Sequence, residues 1–217
     1  MITIVLIALI GVYIFRNFSQ VERELSPISQ KVSQRLQRLW GIALSGMREK
    51  KYLRAEKALL TILKLDQTNA AAYNRLGILY SRQKEYKDAI ECFEIASSIE
   101  PSASSLHNLG LIYYETENYE KAASAFEGAL KLEDGLAARF IAYAKVLEKL
   151  GNQAGVIDAL ETAVEIEPSQ QSIRLLAQAH REAGNNETAD KLEKSVTKSV
   201  SSSSKRRQVQ RPKRVIY

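Results

Sequence analysis

The chain has 217 residues, with 31 Lys and Arg against 25 Asp and Glu, for a formal net charge of +6. At 45% hydrophobic and 26% charged residues it can bury a packed core, which excludes wholesale disorder. Its single Cys excludes an intrachain disulfide framework, and one Cys with two separated His falls short of a structural zinc site.

In chain order, the first element is apolar. Thirteen of the first fifteen residues are apolar, with Thr3 and Gly11 the exceptions, and extending to Phe18 adds only Arg16, Asn17 and Phe18. As a helix, eighteen residues reach roughly 27 Å, slightly short of a hydrocarbon core of about 30 Å. Snorkelling by Arg16 and modest bilayer thinning close that gap. A cleaved signal peptide fits less well, because no basic side chain precedes the apolar run and no small-x-small site follows it. A buried core helix is the third reading. Residues 1–18 are therefore read as an N-terminal transmembrane anchor. Arg16, Arg23, Lys31 and Arg35 follow the apolar run, so the positive-inside bias leaves the N-terminus outside and the remainder cytoplasmic.

Residues 19–35 read as a juxtamembrane linker and capping helix. Ser26-Pro27 has the form of an N-cap followed by a helix-starting proline. Ile28, Val32, Leu36 and Leu39 then continue an apolar stripe into the next element. This helix is expected to cover the exposed end of the following stack; a short dimerising helix beside the membrane is the alternative.

The middle of the chain repeats itself. Tyr73-x2-Leu76-Gly77-x2-Tyr80 is followed by Ala89-x3-Phe93 and Pro101. Leu106-x2-Leu109-Gly110-x2-Tyr113 then precedes Ala122-x3-Phe126, and Phe140-x2-Tyr143-Ala144-x2-Leu147 precedes Val156-x3-Leu160 and Pro168. Worn copies flank these three. The small residues Ala43, Gly77, Gly110, Ala144 and Ala177 are spaced 34, 33, 34 and 33, and Ala55, Ala89, Ala122, Val156 and Ala189 repeat the same spacing. Within a copy, residues such as Tyr73, Leu76, Gly77 and Tyr80 share one helix face. Gly inside a helix costs about 1 kcal/mol against Ala, so Gly77 and Gly110 point to close helix packing. Turn signals such as Glu117-Asn118 and Gly151-Asn152 separate the helices, and Pro101 and Pro168 separate copies.

These motifs resemble the tetratricopeptide repeat (TPR), with Tyr73, Leu106 and Phe140 where the family carries Trp. The resemblance implies an all-α, helical-hairpin solenoid, a right-handed superhelix with a concave groove and no enzymatic activity. It covers five TPR-like helix pairs within 36–198, at about 36–69, 70–102, 103–136, 137–169 and 170–198. It also implies that the groove is lined by Trp40, Asn74, Ile78, His107, Leu111, Tyr114, Ile141, Lys145, Arg174 and Gln178. That mixed surface suits a peptide or protein partner. The carboxylate clamp of chaperone-binding relatives is absent, since of the aligned residues Asn74, Ile78, Asn108, Ala138 and Ala142 only Asn108 matches.

No phosphate loop, nucleophile elbow or metalloprotease motif occurs. Cys92, beside Phe93, reads as a packed thiol rather than a nucleophile. His107 and His180 fall in different copies. No cofactor, metal or small-molecule substrate is expected.

The charge is concentrated at the C-terminus. After Glu193 there are eight basic residues and no acid, which leaves residues 1–193 at −2. Residues 199–217 read as a disordered Ser-rich and basic tail. Lys205, Arg206, Arg207, Arg211, Lys213 and Arg214 are its candidates for anionic lipid or nucleic acid. The sequence thus points to a non-enzymatic, membrane-tethered scaffold. The alternatives are an extracytoplasmic envelope-assembly TPR scaffold and a nucleic-acid or anionic-surface factor acting through the tail.

Overall fold

The protein is described as a computed structural model over residues 30–194. The apolar segment 1–18, the Ser26-Pro27 cap and the basic tail lie outside the described residues. Among the described residues there are ten helices and no strand. They are α1 (30–48), α2 (Tyr52–Leu65), α3 (Ala70–Gln83), α4 (Tyr86–Ile99), α5 (Ala103–Glu115), α6 (Tyr119–Leu132), α7 (Ala137–Lys149), α8 (Gln153–Ile166), α9 (Gln170–Glu182) and α10 (186–194). Among the described residues no helix is long and apolar enough to cross a membrane. The chain forms two compact units, one ending at Leu79 and one beginning at Tyr80.

The first unit is built on α1 and α2. Ala43 and Met47 of α1 are buried, as are Ala55, Ala58, Leu59 and Ile62 of α2. The helices meet closely where a Cβ on Gly46 would lie 3.1 Å from Ala55 Cβ.

In the second unit successive helices pack on one another from α4 through α9. Phe93 and Phe126 are its largest fully buried side chains. A Cβ on Gly110 would lie 2.9 Å from Cε2 and 3.0 Å from Cδ2 of Phe126, closer than real Cβ contacts allow. The Phe126 ring therefore occupies the space of the missing side chain. The sequence repeats this exchange of size sixteen residues apart. It pairs Gly77 with Phe93 and Gly110 with Phe126, but Ala43 with Leu59 and Ala144 with Leu160.

Polar bonds join successive pairs. Tyr113 donates to Glu94 Oε1 (2.6 Å), Tyr143 donates to Glu127 Oε1 (2.7 Å), and Gln153 Nε2 donates to the Ala179 carbonyl (2.7 Å). His180 Nε2 lies 3.8 Å from Glu161. Burial first, then the bond to the carboxylate, pushes the Tyr113 and Tyr143 hydroxyls up to about 12.

One turn recurs inside all five pairs. Lys50 (φ 59°), Lys84 (φ 64°), Glu117 (φ 59°), Gly151 (φ 73°) and Gly184 (φ 82°) are left-handed. Each donates to the carbonyl three residues back, and the next residue donates five back, as Asn118 does to Tyr113 at 2.8 Å. This is the Schellman closure, which satisfies carbonyls at the helix end. Side-chain caps start the following pairs. Ser102 Oγ accepts from Ser105 N, Ser169 and Ser172 form a reciprocal capping box, and each pair sits immediately after Pro101 or Pro168.

Two stability predictions follow from these contacts. Gly110→Ala gains about 1 kcal/mol of helix propensity yet should lose stability overall, because overpacking a closed core costs about 1–3 kcal/mol. Adding Phe126→Leu should recover part of the loss, with a coupling of roughly 0.5–3 kcal/mol in a denaturant double-mutant cycle; simple additivity would contradict the contact. At the turns, Glu117→Gly should raise stability by about 1 kcal/mol and Gly151→Ala should lower it by a similar amount, because a Cβ is strained at positive φ. The measurement is a shift in urea midpoint at constant slope.

Candidate partner-binding surface

A binding wall can be built only from side chains that helix packing leaves on the surface. In the first unit Trp40 lies half-buried on α1, and Asn74 and Ile78 lie half-buried on α3. In the second unit the remaining groove candidates lie on α5, α7 and α9.

On α5, His107 is largely taken up by packing. Its ring meets Phe126 edge to face, with centroids 5.3 Å apart. Burial, with the nearby Arg139 charge adding, holds the imidazole below its ordinary range, so it is neutral near pH 7. Its buried Nδ1 finds no hydrogen-bond partner among the described residues. Leu111 is the exposed apolar residue of this helix, at 39%. Tyr114 is half-buried, with its ring edge to face on Tyr119 at 5.7 Å.

Arg139 is a charged residue whose burial the sequence did not announce. Its side chain is 5% exposed, yet Nη1 donates to the Glu133 carbonyl at 2.8 Å and Nη2 meets Glu133 Oε2 at 2.7 Å. Both bonds tie the start of α7 to the loop after α6. This satisfies a guanidinium that would otherwise be costly to bury.

Between α7, α8 and α9 lies a cleft of about 50 Å³. It brings together three of the groove candidates, Ile141, Lys145 and Gln178. Leu175, Glu148 and Glu182 line it as well. Glu148 and Glu182 were missed in the sequence. The available signal was helical spacing, since Glu148 lies three residues beyond Lys145 and Glu182 four beyond Gln178. Gln178 Nε2 donates to Glu182 Oε1 at 2.9 Å. The cleft thus has an apolar floor and a rim carrying both signs of charge. Arg174 is exposed on α9 outside this lining. The six basic tail residues named above, Lys205 to Arg214, lie outside the described residues.

No group of three or more His, Cys, Asp or Glu among the described residues is placed to hold a metal ion. Cys92 is buried, and burial first, then Glu91 and Asp88, pushes its thiol up to about 12. Thiolate is the nucleophilic form, so this thiol is inert near neutral pH.

Residues 68–132 match the family model of the tetratricopeptide repeat. No curated protein matches the chain in sequence. Among solved structures, a MamA protein superposes with a TM-score of 0.72 at 20% identity, covering 80% of this chain and 96% of its own. MamA 41-end from Desulfovibrio magneticus RS-1 gives 0.68 at 14% identity, covering 76% and 94%. YrrB, described as a TPR protein with an unusual peptide-binding site, gives 0.62 at 19% identity, covering 71% and 80%. The described residues therefore adopt an all-α, TPR-like helical-hairpin fold.

The buried thiol has a kinetic consequence. At pH 8, alkylation of Cys92 in the folded protein should run at least about tenfold slower than in urea, because its raised pKa removes thiolate and its burial blocks approach. The protection should fade as the pH approaches 12; equal folded and unfolded rates at pH 8 would contradict the packing described.

Proposed function

We propose that this chain is a non-enzymatic scaffold that holds a peptide or protein partner against the first-helix wall of its repeats. The observation that carries the reading is the cleft where Ile141, Lys145 and Gln178 converge from two first helices. Peptides bind such repeat surfaces by seating side chains in pockets whose polar rims fix register. The likeness to YrrB, whose description names a peptide-binding site, supports the same use of the fold. Tethering to a membrane through residues 1–18, with the repeats on the cytoplasmic side, rests on the apolar N-terminal run and the basic residues that follow it. The acid-free tail supports a second role, attraction to an anionic surface or nucleic acid through Lys205, Arg206, Arg207, Arg211, Lys213 and Arg214. An extracytoplasmic scaffold of the same repeat type is the alternative that the side of the membrane decides.

The test is crosslinking in the native membrane. Ile141→Asp with Lys145→Glu should reduce recovery of the crosslinked partner by roughly tenfold or more, while helical circular dichroism is retained. Unchanged recovery from a folded variant would move the binding surface elsewhere. Protease protection in sealed vesicles reports which side carries the repeats.

A further inference from the structure

The first helix pair carries an apolar groove. Its volume is about 400 Å³, and Leu39 and Ile42 of α1 with Leu53 and Ala58 of α2 form its floor. Leu53 is 65% exposed. Arg54 and Lys57, one helical turn apart on α2, stand at its rim and form no ion pair among the described residues. Arg35 and Arg38, both exposed, lie four residues before Leu39 and Ile42, on the same side of α1.

This concentration of cations is local. Residues 30–79 hold ten Lys and Arg against three Asp and Glu, a net +7, whereas residues 80–194 hold twelve against twenty, a net −8. Of the three acids, Glu49 bonds Lys51, Asp66 accepts from Thr68 and Asn69, and Glu56 is half-buried on α2.

The repeat register indicates the kind of element that covers such a face. By the 34- and 33-residue period, Leu39 and Ile42 align with Phe140 and Tyr143 of α7. In the second unit α7 packs on the preceding α6, and Tyr143 bonds Glu127 of α6 across that contact. Other contacts repeat the arrangement. Glu94 of α4 accepts from Tyr113 of α5, and Glu161 of α8 lies 3.8 Å from His180 of α9. Glu94, Glu127 and Glu161 occupy one repeat position, so each covering helix offers a carboxylate to the helix it covers. No described helix precedes α1. An occupant of its groove must match both the apolar floor and the cationic rim. The ridge of an amphipathic helix fits between two helices, and acids beside that ridge complement the charge. A phosphate backbone would meet the cations but leave the floor bare.

We propose that the first helix pair docks an acidic amphipathic helix of a partner protein, on residues distinct from those of the α7–α9 cleft. The apolar ridge of that helix covers Leu39, Ile42 and Leu53. Its carboxylates meet Arg54 and Lys57 on one side and Arg35 and Arg38 on the other.

A synthetic helix can stand in for the partner. Residues 153–167 of this chain carry Asp158, Glu161, Glu165 and Glu167 and no base, beside Val156, Leu160 and Val164. A fluorescent peptide of that sequence, held helical by a hydrocarbon staple, is titrated onto the full chain in detergent. Anisotropy should show saturable binding. Arg54→Glu with Lys57→Glu should weaken it by roughly tenfold or more, with helical circular dichroism retained. A peptide with all four acids replaced by Lys should show the reverse preference and bind that charge-reversed chain more tightly. Leu53→Ser should weaken binding of the acidic peptide by roughly fivefold. Ile141→Asp with Lys145→Glu should leave it unchanged. No binding to the full chain overturns the proposal, because the groove is then closed or shaped for another class of ligand. Equal binding of both peptides, or unaltered affinity in Leu53→Ser, overturns it because the apolar floor and charged rim then do not select the helix together. Loss of binding in the Ile141 and Lys145 variant overturns it in favour of the cleft.

Discussion

Phe126 fills the volume that a side chain at position 110 would occupy, and the distance between α5 and α6 follows from that contact. Its ring carbons stand 2.9–3.0 Å from where a Cβ would be. Interiors are packed at crystal-like density, so neither helix can shift without opening a void elsewhere. The other contacts of this pair are built on that distance. The His107 ring packs edge to face on Phe126, and Leu106 Cδ1 lies 3.2 Å from where a Cβ on Gly128 would be. The Gly110 helix then presents Tyr113 to Glu94 of the pair before, while Arg139 of the pair after anchors the loop leaving α6. A propensity cost of about 1 kcal/mol at Gly110 is small against a fully buried Phe, whose removal typically costs about 3–5 kcal/mol.

Local closure and global packing are separately encoded. The Schellman turn needs one left-handed residue, and Gly supplies it without strain only at Gly151 and Gly184. At Lys50, Lys84 and Glu117 a side chain accepts the same conformation. In the third pair Glu117 takes it in the turn that joins α5 and α6, the two helices that Gly110 and Phe126 hold together. The sequence marks a turn at Glu117-Asn118, and the packing of the pair holds its left-handed residue although that residue is not Gly.

Much of this was legible because it is periodic. Two independent small-residue columns at 34- and 33-residue spacing identify helical hairpins, and Gly151-Asn152 and Pro168-Ser169 mark their ends by known turn and cap chemistry. Other features depend on which groups meet in space, and no spacing reports that. His107 sits at a position read as groove-lining, yet its ring packs against Phe126, because an imidazole shorn of charge is an acceptable core neighbour. Arg139 reads as a surface cation near a helix start, and only the Glu133 carbonyl and carboxylate make its burial tolerable. Glu148 and Glu182 are ordinary solvent-facing acids in the sequence. They become part of a cleft only because α7 and α9 face one another across α8.

The first and last helix pairs in chain order end in different ways, and electrostatics separates them. In the last pair Arg181 bonds Glu193 at 2.9 Å and reaches Asp190 at 3.4 Å, and Lys191 pairs with Glu187. These exposed bonds are each worth little, but together they give α10 a polar face that water can solvate. A repeat array needs such a terminus, because every interior pair relies on a neighbour to cover its apolar side. The first pair has an exposed Glu49–Lys51 ion pair at the turn between its helices, and its groove is apolar. That groove carries Leu39, Ile42 and an exposed Leu53 beside Arg54 and Lys57, which form no ion pair among the described residues. Apolar surface of that kind is stable in water only when covered, and cations at its rim favour an acidic cover over a basic one.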